Sequence, residues 1–130
     1  MSVSKQSIAK FLSKEFHHLP NKCVIGEVSK HGAVITCELD GTHLFSKESL
    51  MITADFTLQS AILGKLGRTQ ALVMTSMSIH FLHQPRKSSE IIAECKLIQA
   101  SKACFIGDVL LYSSGLKKPV AHVMGTYSFD

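Results

Sequence analysis

The chain has 130 residues, 45% of them hydrophobic and 18% charged, enough for one compact domain over residues 1–130 and too few for two. That composition excludes a disordered chain, and the length removes any need for a disulfide or a metal to hold the fold. Fourteen Lys and Arg against ten Asp and Glu give a net charge of +4, which suits an anionic small molecule and lacks the dense basic stripe of a nucleic-acid partner site.

The first predicted element runs from about Ser4 to Phe16. Ile8, Phe11, Leu12 and Phe16 fall at helical spacing with lysines opposite, the pattern of an amphipathic surface helix. The opening residues Met1-Ser2-Val3-Ser4-Lys5-Gln6 hold no apolar export segment, so a cytoplasmic location is expected. Two short runs, Cys23 to Ser29 and Ala33 to Leu39, flank Lys30-His31-Gly32 and predict a hairpin whose glycine can take a positive φ. Cys23, Cys37, Cys95 and Cys104 are widely spaced with no CxxC pair, and all four are expected as reduced thiols.

From Lys47 to Leu66 the pattern changes. Leu50, Met51, Ile52, Ala54, Phe56, Leu58, Ala61, Ile62 and Leu63 cover every side of a helical wheel, which predicts a buried helix. Ser46 suits its N-cap, and Gly64 and Gly67 mark its end. Long β-type segments follow at Ala71 to Leu82, Ser89 to Ala100, Ala103 to Ser113 and Val120 to Phe129. The longest charge-free stretch, Thr69 to Pro85, is broken by Thr75, Ser76, Ser78, His80, His83 and Gln84, so no membrane span is expected. The expected class is α+β, a long central helix wrapped by a curved antiparallel sheet, with an N-terminal amphipathic helix. An open sheet of this kind has edges that favour pairing with another subunit.

Asp55 is the one charged residue between Glu48 and Lys65. A carboxylate in the middle of an apolar helix must be paired, protonated or turned to a wet cleft, since burying it unpaired costs several kcal/mol. In a cleft, desolvation raises its pKa and fits it for work as a general base or nucleophile.

Three stretches together carry a family resemblance: Ser46-Lys47-Glu48-Ser49-Leu50-Met51-Ile52-Thr53-Ala54-Asp55, then Thr75-Ser76-Met77-Ser78-Ile79-His80-Phe81-Leu82, and finally Pro119-Val120-Ala121-His122-Val123-Met124-Gly125-Thr126-Tyr127. From about Phe11 onward the chain resembles hotdog-fold thioesterases of the phenylacetic-acid-degradation type. The resemblance implies a homodimer or homotetramer with its active site at the dimer interface, an acyl-CoA substrate, no cofactor and no metal. Asp55 then attacks the thioester carbonyl or activates water, and the backbone N–H groups of Glu48 and Ser49, from the partner subunit, form the oxyanion hole. Where many members have His-Gly-Gly before the helix, this chain has Ser46-Lys47-Glu48. That departure favours the alternative, a non-catalytic acyl-CoA-binding hotdog protein. A hotdog hydratase is expected to show a His five residues after the acid, and Ser60 stands there.

His43, in the loop before the helix, is a candidate for contact with the thioester. Strand alternation predicts Ser76, Ser78 and His80 on one face and Thr75 and Met77 on the other, and Thr75 or Ser76 is the candidate hydroxyl beside the acid. Arg86, Lys87 and Arg68 are candidates for the phosphates of coenzyme A. Met51, Phe56, Leu58 and Met74 can line an acyl pocket, though the same residues can equally make a core. His122 reads as a strand histidine with its partner in the sheet.

Overall fold

The structure, a computed structural model, describes residues 3–16, 22–38, 47–84 and 90–130. In chain order the elements are α1 (Lys5–Glu15), β1 (Lys22–Val28), β2 (Gly32–Glu38), α2 (Lys47–Leu66), β3 (Leu72–Phe81), β4 (Ile91–Ser101), β5 (Cys104–Ser113) and β6 (Ala121–Phe129). The strands form one antiparallel open sheet in the order β1-β2-β4-β5-β6-β3. The α+β class expected from the sequence is the class found.

α1 starts at Ser4, whose hydroxyl accepts a hydrogen bond from the Ser7 backbone N–H at 3.1 Å, satisfying one donor of the first turn. Its apolar side buries Ile8 and Leu12 against α2 and β1. α2 packs on β2, β4, β5 and β6 and ends at Gly67, which takes φ 75° and donates to the Leu63 carbonyl at 2.9 Å. The polar residues on its buried sides satisfy themselves within the helix. Thr53, Thr57 and Ser60 donate to the carbonyls of Ser49, Thr53 and Phe56 at 2.8, 2.7 and 2.8 Å, so no unpaired hydroxyl is carried into the core.

α2 lies close to the sheet at one point. Leu58 sits over Gly107 of β5 and Gly125 of β6, which are partners in register. A Cβ on Gly107 would stand 2.5 Å from Leu58 Cδ2, and one on Gly125 would stand 2.7 Å from Leu58 Cδ1. A Cβ at either position would require Leu58 to shift.

Several expectations are corrected. α2 is not covered on every side: Glu48 and Met51 are exposed and Ile52 and Asp55 half-buried, at spacings that put them along one flank. That flank looks toward β3, which lies beyond the strands on which α2 packs. Gly32 does not take a positive φ; it is required because a Cβ there would stand 1.9 Å from the Cys95 carbonyl oxygen. Cys23 and Cys37 are not reduced thiols. They oppose each other on β1 and β2, 4.1 Å apart between Cα atoms, and form a disulfide, while Cys95 and Cys104 are free. A separation of 14 residues concealed a pairing that only the hairpin register creates.

The two sheet edges differ. β1 carries a bulge at Gly26, and Lys5 Nζ donates to the Gly26 carbonyl at 3.2 Å. β3, at the other edge, exposes Val73, Met74 and Phe81.

Candidate active site

Asp55 sits in the middle of α2, on the open flank. Its Oδ1 accepts two hydrogen bonds, from the Tyr127 hydroxyl at 2.5 Å and from Gln59 Nε2 at 3.0 Å. Oδ2 has no donor among the described residues. Burial pushes the Asp55 pKa above the ordinary carboxylate value, with the Tyr127 and Gln59 hydrogen bonds pulling the other way. Desolvation of the charged form wins because no cation among the described residues pairs with it.

Tyr127 comes from β6, where alternation puts Ala121, Val123, Gly125 and Tyr127 on the helix side. It is fully buried. Burial, then the negative charge of Asp55, pushes its own pKa far upward, so the phenol keeps its proton and donates it to Oδ1.

The wall opposite the open flank is β3, and a bulge decides what it presents. The register passes from Met74↔Tyr127 to Ser76↔Thr126, leaving Thr75 as the extra residue. Directly opposed residues of antiparallel strands point to the same side. Met74, Met77, Ile79 and Phe81 therefore share the helix side with Tyr127, Gly125, Val123 and Ala121. Ser76, Ser78 and His80 face away. The predicted alternation, with Thr75 and Met77 on one face, is thus broken at the bulge. The Thr75 hydroxyl donates to the Thr126 carbonyl at 3.1 Å. The hydroxyl beside the acid comes from Tyr127.

Other candidates fall in different places. Met51 and Met74 are 40% and 37% exposed, Met51 on the open flank of α2 and Met74 on the helix side of β3. Phe56 is buried edge-on against Phe16, ring centroids 5.5 Å apart, and Leu58 is buried over the glycine pair. Arg68, exposed past the end of α2, holds its guanidinium 5.7 Å from the Phe129 ring centroid. His43, Arg86, Lys87 and the N-cap Ser46 lie outside the described residues. Glu48 and Ser49 occupy the first turn of α2, Glu48 exposed and Ser49 buried. Lys47 Nζ, beside them, lies 5.3 Å from the Phe81 ring centroid and ties the start of α2 to the end of β3.

Glu48 precedes Asp55 by seven residues, roughly 10 Å along the helix. One chain therefore cannot bring its own helix N-terminus and its own Asp55 to a single carbonyl.

On the far face of the sheet, His122 pairs with Asp108 and stacks against His80, the in-sheet partner expected for His122. Among the described residues no group of three or more His, Cys, Asp or Glu could hold a metal ion, and no helix is long and apolar enough to cross a membrane.

The sequence offers Gln59, beside Thr57 or a neighbouring strand's backbone, only as a structural partner for a buried Asp55, a contact the structure shows for Gln59, and it does not point to Tyr127. The signal for Gln59 was its spacing, one helical turn after the acid. For Tyr127 it was position: a tyrosine on the inward phase of a strand otherwise lined by Val and Ala needs a buried partner for its hydroxyl.

No protein-family model matches the chain, and no curated protein sequence matches it. Solved structures do. A protein of Silicibacter sp. TM1040 assigned as a thioesterase superposes with a TM-score of 0.85 at 24% identity, over 98% of this chain and 92% of that one. A thioesterase from Pseudomonas aeruginosa matches with a TM-score of 0.77 at 12% identity, over 98% and 94%. The PaaI protein of E. coli, from the phenylacetic acid degradation operon, matches at 0.74 and 18%, over 95% of each chain. At these identities the likeness shows the fold, which is the hotdog fold.

Proposed function

We propose that this chain, one domain over residues 1–130, is an acyl-CoA thioesterase that hydrolyses a small or medium acyl-CoA to free acid and CoA without a cofactor. The observation that carries the reading is Asp55, a half-buried carboxylate on the central helix of a hotdog fold, held by one oxygen and with no donor to the other among the described residues. Its raised pKa makes it a stronger base than an exposed aspartate. Similarity to structures described as thioesterases adds support.

In this reading Oδ2 takes a proton from water as the oxygen attacks the thioester carbonyl, or attacks the carbonyl itself to give an anhydride that water then opens. The oxyanion is met by the backbone N–H groups of Glu48 and Ser49 from a second copy, at the positive end of its α2. The tetrahedral intermediate collapses, the C–S bond breaks, and the thiolate of CoA leaves and is protonated. The acyl group lies along Met51 and Met74, with Phe56 and Leu58 behind them. Arg86, Lys87 and Arg68 meet the phosphates, and His43 and Thr75 add polar contacts. The active unit is a homodimer, joined through the β3 edge, or a homotetramer built from it. A cytoplasmic location goes with this reading, and a reducing compartment would then open the Cys23–Cys37 bond.

A second reading, acyl-CoA binding without turnover, is favoured by one feature. Glu48, exposed in the first turn of α2, puts a negative charge beside the place where an oxyanion would form. Thiol release from a panel of acyl-CoAs, wild type beside Asp55→Asn, separates the two. The thioesterase reading expects turnover in the wild type and a loss of at least about a hundredfold in the variant. An inert wild type whose melting temperature rises with CoA is the binder.

A further inference from the structure

We propose that Tyr127 is a positioning residue for Asp55, its buried hydroxyl holding Oδ1 so that Oδ2 is the oxygen presented to the substrate. This rests on the thioesterase reading and adds to it the device that orients the acid.

Three constraints fix the phenol. Tyr127 has no exposed surface, and its backbone is paired on both sides, with Phe105 of β5 and Met74 of β3. The height of α2 above it is set by Leu58 on Gly107 and Gly125. Between these the hydroxyl lies 2.5 Å from Oδ1, the short distance of a hydrogen bond to a charged acceptor. Gln59 approaches the same oxygen from within α2, which fixes the plane of the carboxylate and leaves Oδ2 without a donor among the described residues.

Among the described residues few other ionisable groups face the pair. β4 brings the Cys95 thiol, pushed up to about 12 by burial and by Asp108 of β5. α1 turns Ile8 and Leu12 inward, β2 turns Ala33 and Ile35, and β3 turns Met74 and Met77. A hydroxyl that donates to the charged form favours it, so losing that hydroxyl raises the Asp55 pKa.

Tyr127→Phe keeps the ring and removes the donor. The acid limb of its kcat/KM profile is expected to move up by about one pH unit, with kcat about tenfold lower on the plateau and KM within about twofold. An active wild type whose variant keeps the wild-type acid limb overturns the positioning role alone. A wild type that releases no thiol overturns the thioesterase reading and this role with it. Should the variant fail to fold, the wild type still decides: the Tyr127 13Cζ resonance is expected to titrate with the midpoint of the acid limb. A flat resonance overturns the proposal.

Discussion

Asp55 ionises in a place that works against ionisation. Burial raises its folded-state pKa above the ordinary aspartate value of 3.8, so between 3.8 and the raised value the folded chain holds more proton than the unfolded one. The stabilisation linked to that proton is complete below the unfolded pKa and is lost as pH rises through the folded pKa. Asp55→Asn, which removes the charge and keeps an oxygen for Tyr127, is therefore expected to melt above the wild type at pH 7. The gap closes as the pH approaches 4, which thermal melts at a series of pH values read directly. Asp55 was legible because a single charge in an apolar helix has no structural reason to be there. Tyr127 was not, because its bond to Asp55 spans 72 residues, and that distance is bridged only when β6 is placed beneath α2.

The helix and the sheet meet through Leu58 and the Gly107–Gly125 pair. Gly107→Ala would put a Cβ 2.5 Å from Leu58 Cδ2, so either Leu58 leaves its rotamer or α2 lifts. Overpacking of this kind costs about 1–3 kcal/mol. Urea unfolding is expected to show that loss, and a lifted α2 draws Asp55 from Tyr127 and lowers kcat as well. The positions of both helices and all six strands were legible from periodicity. The bulges were not: a reading in strict steps of two carries Thr75 and Met77 to one face, and nothing in Met74-Thr75-Ser76 announces the extra residue. The disulfide escaped for a related reason, since Cys23 and Cys37 become neighbours only through the β1–β2 register. Gly32 was singled out for its backbone freedom and is needed instead for its lack of bulk.

At the scale of the whole molecule, β3 is a ten-residue edge strand with exposed apolar side chains, a template for pairing. Val73→Lys together with Ser78→Lys, both on the face away from α2, brings like charges to that edge. Sedimentation velocity is expected to show a shift toward monomer, and thiol release is expected to fall in step, because in the proposed dimer the helix N-terminus of one copy would no longer reach Asp55 of the other. The α+β class was legible; the order of strands that leaves β3 outermost was not, because it depends on which strand the chain returns to after β5. The edges also decide how large an assembly can grow. At β1 the bulge and the Lys5 contact to Gly26 blunt the outer rim, so in the proposed dimer β3 would pair with β3 about a two-fold axis through the more open of the two edges described. Growth along the sheet would then stop at two copies, and raising the concentration would fill more closed particles instead of lengthening a fibre.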